Sequence, residues 1–350
     1  MVLWVKTKKK TKKEPKDLDL LNKMKNLPGG LVIIPLVIAV LLATFVPQVF
    51  QIGGYVTALF YEGNSCMMGF FLIVCGSMIN VKQVGMPLYK GAIMTGVKFA
   101  LGVAVGVLVG TICGPEGFLG IAPFVLIATI TNSNGSLYIS LSSQFGNATD
   151  TGAISILSLN DGPFFTLIAL GATGLANIPI KSLIAVLIPL LIGFVWGNLD
   201  KGFRDACKTA QPIVTFFMTI SIGAKTDVKT ILTAGASGIV LGLISAATAV
   251  LFFFIINLLL PKKERNAMGA AIGTTALNSA MTPAAVAEAD PSMAQYTSMA
   301  TAQCATASII TLFLCPFITA AFDKYMMNHK KGIYSPEGWA YEKALAAEQK

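Results

Sequence analysis

The chain has 350 residues, is 54% hydrophobic and only 12% charged, and has a mean hydropathy of +0.70. A soluble domain carries about 25% charged residues. Half that density cannot cover an exterior with solvated side chains, which excludes a soluble globular chain, and the apolar content excludes a disordered one. The formal charge of +9 is no nucleic-acid footprint: six of the nine charges sit in residues 1–25, two in 26–322, and no basic patch is interleaved with aromatics.

The six cysteines (Cys66, Cys75, Cys113, Cys207, Cys304 and Cys315) lie in or beside apolar stretches without C-x-x-C spacing. They read as small buried hydrophobes, not a disulfide framework. His329 stands alone, which excludes a His-based metal site or triad. No G-x-S-x-G elbow points to an enzyme, and no resident metal or cofactor is expected.

A membrane-spanning helix needs about 20 mostly apolar residues. Ten stretches qualify in chain order: 30–47, 55–79, 87–113, 118–146, 150–175, 179–198, 205–224, 230–260, 266–290 and 293–322. The Lys-rich segment before the first lacks a small-residue cleavage site and does not read as a signal peptide. Span three carries G-V-A-V-G-V-L-V-G at 102–110, small residues that let helices approach closely. Span six is bulky over 183–196 and suits lipid.

Lys and Arg placement predicts both termini on the cytoplasmic side. Even loops are basic: Lys82 and Lys90; Lys201, Arg204 and Lys208; Lys262, Lys263 and Arg265. The 4–5 loop is neutral, and the odd loops at 48–54 and 114–117 carry no Lys or Arg. Lys225 and Lys229, after span seven, are the exception. The Lys run ahead of span one is a topology signal or a contact for anionic headgroups.

Two segments repeat. F-F-L-I-V-C-G-S-M-I-N-V-K (70–82) aligns with F-M-T-I-S-I-G-A-K-T-D-V-K (217–229), 147 residues on, and I-P-L-V-I-A-V-L-L (34–42) resembles I-P-L-L-I-G-F-V-W (188–196). Five spans per half is odd, so the halves are expected to be inverted, as in secondary transporters. The predicted units are a 1–26 Lys-rich tail, five-helix repeats over 27–175 and 176–325, and a 326–350 tail.

Spans four and nine share an irregularity. Span four reads A-T-I-T-N-S-N-G-S-L-Y-I-S (128–140) and span nine G-T-T-A-L-N-S-A-M-T-P-A-A-V-A-E-A (273–289). Each holds an Asn-bearing polar cluster with Gly135 or Pro283. Irregular backbone at membrane depth survives only where protein or a cavity surrounds it. Two broken helices are predicted, with half-helix N-termini that favour an anion; plain interhelical hydrogen bonding is the alternative.

Ionisable residues inside spans are functional candidates. Asp161 lies in S-L-N-D-G-P-F-F, Glu288 five residues after Pro283, and Lys98 inside span three. Asp161 and Glu288 are the available proton carriers, since a desolvated carboxylate is easier to protonate. The alternatives are a structural Asp161–Lys98 pair, an interfacial Glu288 near Asp290, and a Lys98 that snorkels to the interface or meets a substrate carboxylate. Tyr138, one turn past Asn134, lines the site or packs.

L-P-G-G (27–30), S-N-G-S-L-Y (133–138), S-L-x-x-G-P (158–163) and I-P-x-L-I-G-F-x-x-G-N-L-D (188–200) resemble the bacterial 2-keto-3-deoxygluconate permeases over residues 22–325. That family is grouped with the bile acid/sodium symporter-like transporters. The resemblance implies ten helices in two inverted five-helix repeats: a panel of spans one, two, six and seven, and a core of three to five and eight to ten, with helices four and nine crossing at the substrate. It implies proton-coupled import of 2-keto-3-deoxygluconate. Asn134, Gly135, Leu137 and Tyr138 fall on the family's Asn-Gly-Gly-Leu-Tyr stretch, with Ser136 replacing a Gly, and Glu288 on a family Glu. Thr131 and Asn160-Asp161 depart from it, where relatives carry Asp and Glu-Ser.

The expectation is an all-α polytopic transporter of the bacterial inner membrane, taking up a small anionic sugar acid with protons by alternating access. Asn132, Asn134, Ser136, Tyr138, Thr275, Asn278, Ser279 and Lys98 are the substrate candidates; Asp161 and Glu288 are the proton candidates. The alternative is sodium-coupled symport of another organic anion, since hard cations accept the same oxygens. The lipid bilayer is a partner, nucleic acid is not, and a homodimer stays open.

Overall fold

The computed structural model describes residues 19–26, 30–79, 85–157, 160, 162–225 and 228–348. Among these, every regular element is helical. The short α1 (Leu20–Asn26) precedes α2 (Gly30–Phe45). Next come α3 (Gly54–Phe60) and α4 (Asn64–Met78), bent by 55° where Glu62 and Gly63 interrupt them. α5 (Met86–Cys113) is continuous. Polar clusters and Gly-Pro then divide the chain into α6 (Pro123–Thr131), α7 (Gly135–Phe145), α8 (Ala148–Leu157) and α9 (Phe164–Thr173).

The second half runs through α10 (Ile180–Leu199), α11 (Lys201–Gly223) and α12 (Val228–Leu259). Then come α13 (Met268–Ala271), α14 (Thr282–Ala289), α15 (Thr297–Asn328) and α16 (Pro336–Glu348). Among the described residues four segments are long and apolar enough to cross a membrane: α5, α10, Leu232–Leu259 and Pro291–Tyr334; the bent α3–α4 pair makes a fifth. On α10, Ile184, Ile188, Leu191, Ile192 and Val195 are all exposed at helical spacing, an apolar stripe suited to lipid. The protein is a helical integral membrane protein.

Packing gathers α2, α4, α10 and α11 around one another, while α5 packs on α6, α8 and α12, and α12 on α15. Gly76 and Gly223 hold matching places in the paired stretches 70–82 and 217–229. Gly76 on α4 lies against α10, where a Cβ would be 2.0 Å from the Leu190 carbonyl oxygen. Gly223 on α11 lies against α2, where a Cβ would be 2.9 Å from the Leu36 carbonyl oxygen. Leu36 and Leu190 hold matching places in 34–42 and 188–196. The contact between the halves is therefore made twice, with partners exchanged.

Hydrogen bonds sort the connections into two faces. At one, Tyr89 Oη donates to the Leu259 carbonyl, Asn198 Nδ2 to Ile79, and Asn147 Nδ2 to Glu264. At the other, the Val228 N–H donates to Thr44 Oγ1, Asn177 N–H to Asp290, Tyr296 Oη to Glu116, and Ser298 Oγ to the Lys225 carbonyl. The first set joins loops after predicted spans two, four, six and eight; the second joins loops after one, three, five, seven and nine.

Candidate functional site

The interruption between α6 and α7 follows from three consecutive polar residues. Asn132 and Asn134 take extended conformations, and the Asn134 side chain accepts the Leu137 N–H at 3.0 Å as the N-cap of α7. Between α13 and α14 the chain leaves the helix at Ile272, turns through a 3₁₀ segment at Leu277–Met281, and re-enters with Pro283 in the first turn. Proline is tolerated there because its missing N–H has no intrahelical partner.

The two breaks meet. Asn132 Oδ1 accepts the Ala276 N–H at 3.2 Å, and Thr275 Oγ1 donates to the Thr129 carbonyl at 3.0 Å. From behind, Thr311 Oγ1 accepts the Thr275 N–H at 3.0 Å, and Ser308 Oγ donates to the Ala276 carbonyl at 2.9 Å. Ser279 shares a 3.3 Å hydroxyl contact with Ser308. Lys98, fully buried, donates to the carbonyls of Ile272 and Thr274, the latter at 2.7 Å, and stands 5.7 Å from the Phe252 ring centroid. Its ammonium satisfies carbonyls left unpaired where α13 ends. Complete burial removes the snorkelling alternative.

Among the described residues, two buried polar atoms at this crossing have no hydrogen-bond partner, Asn132 Nδ2 and Ser133 Oγ, and both side-chain ends of Asn160, between α8 and α9, have none either. Asn132, Ser133 and Asn160 are each only 2% exposed. A 3.4 Å contact between Thr131 and Thr166 holds the start of α9, six residues after Asn160, beside the break. Unsatisfied buried groups each cost about 1–3 kcal/mol, so a cluster of them marks a place where something else can bind.

The other sequence candidates divide. Asn134 and Asn278 are half-buried at the two breaks, and Ser136 lies in the first turn of α7. Tyr138 packs toward α5 and α8: its hydroxyl donates to the Asp150 carbonyl at 3.0 Å and contacts Met94 Sδ. Glu288 is exposed and accepts a 2.9 Å hydrogen bond from Ser65 at the start of α4, so it joins the two helical groups. Asp161 lies outside the described residues.

A model of the 2-keto-3-deoxygluconate permease family matches residues 21–328. The chain belongs to that family. A 2-keto-3-deoxygluconate permease 1 from Salmonella typhimurium is 41% identical over 303 residues, covering 87% of this chain and 95% of that one. A 2-keto-3-deoxygluconate permease from Bacillus subtilis is 30% identical over 319 residues, covering 90% and 96%. The family and these relatives are permeases, so the crossing belongs to a transport protein and not to an enzyme.

The permease also holds a polar cluster that sequence reasoning missed. Lys90 Nζ lies 2.8 Å from both Asp150 and Glu264, and all three side chains are fully buried. Asn147 caps α8 reciprocally with Asp150: Asn147 Oδ1 accepts the N–H of Thr149 and Asp150, and Asp150 Oδ2 accepts the Asn147 N–H. Asn266 Nδ2 donates to Asp150, and Thr149 Oγ1 to Glu264. Burial pushes the Glu264 carboxyl up, but the Lys90 charge and hydrogen bonds from Lys90, Asn147 and Tyr341 outweigh it and hold it below the usual range. The spacing Asn147-x-x-Asp150 was a legible capping signal; the Lys90 and Glu264 partners were not.

Proposed function

We propose that this permease imports 2-keto-3-deoxygluconate or a closely related sugar acid, coupled to protons, by alternating access. The unpartnered Asn132 and Ser133 groups at the crossing carry this reading, together with the buried, unpartnered Asn160 between α8 and α9. They offer donors and acceptors to sugar hydroxyls in a site closed to water. The substrate carboxylate belongs at the N-terminus of α7, where the first N–H groups lack intrahelical partners and the dipole favours an anion. Asn134, Ser136, Thr275, Asn278 and Ser279 surround or brace that position. Lys98 contributes positive potential from behind the break, and Tyr138 braces α7 from its far side. The names of the Salmonella and Bacillus relatives support the substrate.

The architecture we infer is ten crossings in two inverted repeats. Two observations support it: the sorting of odd and even loops to opposite faces, and the exchanged Gly76–Leu190 and Gly223–Leu36 contacts. The helices α2 to α4, α10 and α11 form the panel, and the rest form the core that moves against it. Basic even loops put that face, with both termini, in the cytoplasm of a bacterial cell. Asp161 and Glu288 carry the proton. Glu288 bonds Ser65 across the panel–core boundary, so protonation there would weaken a link that must break for the core to move.

Uptake by the purified permease in proteoliposomes tests the reading. An inward acid gradient should drive accumulation of 2-keto-3-deoxygluconate, and Glu288→Gln should uncouple uptake from pH. Equal uptake driven by sodium at constant pH would sink the proton mechanism, and no uptake of any sugar acid would sink the substrate class.

A further inference from the structure

Where α12 and α15 end, at the face that carries the even loops, a groove of about 720 Å³ opens. Phe253 and Phe254 form its deeper wall, and Lys262, Arg265 and Lys331 form its rim with a single acid, Glu337. We propose that this groove is a binding site for an anionic phospholipid, with the headgroup phosphate among the three cations and an acyl chain along Phe254.

The depth profile fits that occupant. A helix rises 1.5 Å per residue, so the rim lies about 10 Å beyond Phe254 along the axis of α12, the separation of a phosphate from the upper acyl chain. Phe254 is 59% exposed although it sits inside a membrane-length apolar helix, and Leu258 on the same helix is 75% exposed. Both therefore meet lipid. Two residues beyond Glu337 on α16, Trp339 is exposed, an aromatic of the kind that settles between hydrocarbon and water.

No carboxylate among the described residues pairs with the cations at the rim. Among the described residues the ion pairs belong to Lys90, and Lys262, Arg265 and Lys331 have none. Arg265 Nε donates to the Leu260 carbonyl at 3.0 Å and one terminal nitrogen to Leu258 at 3.4 Å, which fixes the guanidinium at the end of α12 with donors remaining. Lys331 Nζ donates to the Tyr325 hydroxyl at 2.8 Å. Three cations against one acid favour an anion over a zwitterion. Basic pockets between spanning helices are suited to such headgroups.

The outer wall comes from chain beyond the family match at 21–328. Gly332, at φ +60, presses on the Arg265 carbonyl, where a Cβ would stand 1.8 Å away, and the Ile333 N–H donates to that same carbonyl at 3.0 Å. The tail thus completes the groove and holds Arg265 in it. This inference is independent of the solute carried.

Native mass spectrometry of the full-length protein in neutral detergent tests it, with phosphatidylglycerol, phosphatidylcholine and inorganic phosphate as separate probes. Phosphatidylglycerol should be retained over phosphatidylcholine. Lys262→Gln with Lys331→Gln should lower phosphatidylglycerol affinity by roughly thirty-fold at low salt. Lys201→Gln with Lys208→Gln, the same charge change on exposed positions of α11, should leave it unchanged. Equal retention by the groove variant and the unaltered protein, or equal binding of phosphatidylcholine, would overturn the proposal. So would inorganic phosphate that displaces the lipid, because the groove would then be a site for a soluble anion.

Discussion

The Lys90 cluster and the crossing of the two breaks are both buried and both polar, yet they are finished differently. Around Lys90, two carboxylates, two amide side chains and a threonine hydroxyl answer one another. At the crossing, the N–H groups of Thr275 and Ala276 are paired, but among the described residues Asn132 Nδ2 and Ser133 Oγ are not, nor are the two ends of Asn160 between α8 and α9. The Lys90 network, answered at nearly every atom, rigidifies the bundle; one with several unanswered atoms is destabilising until a ligand fills it. Polarity alone therefore does not mark a site; unanswered polar atoms gathered at a break between helices are the better sign.

The largest expected effect attacks the Lys90 side. Lys90→Met leaves two buried carboxylates facing each other and should cost about 3–5 kcal/mol, read as lost monodisperse protein and a lower unfolding temperature in detergent. Adding Asp150→Asn and Glu264→Gln should recover most of that loss. If Lys90→Met alone is neutral, the cluster is not a staple and the contrast fails.

Thr275→Val removes the bond to the Thr129 carbonyl inside the crossing and should cost about 1–3 kcal/mol in equilibrium unfolding while reducing uptake. Asn160→Leu sharpens the comparison further, because it deletes polar atoms that no group among the described residues answers. Stability should stay level or rise by up to about 1 kcal/mol, while affinity for the sugar acid in a thermal-shift titration falls at least about tenfold. A variant that loses stability without losing affinity would make Asn160 structural.

The smallest effect is on the acid side of the stability profile. Glu264 has a folded-state value below its ordinary 4.5, so its contribution is present above that pH and drains away as the pH falls through the lowered value. Glu264→Gln should lower the unfolding temperature modestly at neutral pH and flatten the acid limb of the scan below about pH 4.5, so that the two proteins converge there. An unchanged acid limb would dissociate Glu264 from the Lys90 charge.

Much of this was legible in the residues. Apolar lengths located the helices, and the Asn-Ser-Asn-Gly and Thr-Pro interruptions located the breaks, because both depend on local chemistry. Lys98 stood out as an intramembrane charge, but its partners are backbone carbonyls of Ile272 and Thr274, which no side-chain pattern announces. Asp150 and Glu264 are more than a hundred residues apart in the chain, and only the fold brings them together onto Lys90. Tyr138 shared a turn with Asn134, yet helical rotation turned its ring to α5 and α8, a direction that spacing from the break did not reveal.

The exchanged glycine contacts have a further consequence. A segment carrying both a Gly76-type notch and a Leu36-type carbonyl is complementary to a turned-over copy of itself, and such a copy fits at two places at once. One half of this chain would thus hold what it needs to recognise the other, and the link near Gly174 would need only to keep them in proportion. Co-expressing residues 1–174 and 175–350 as separate chains should yield a paired complex, and filling one notch with Gly76→Leu should part them.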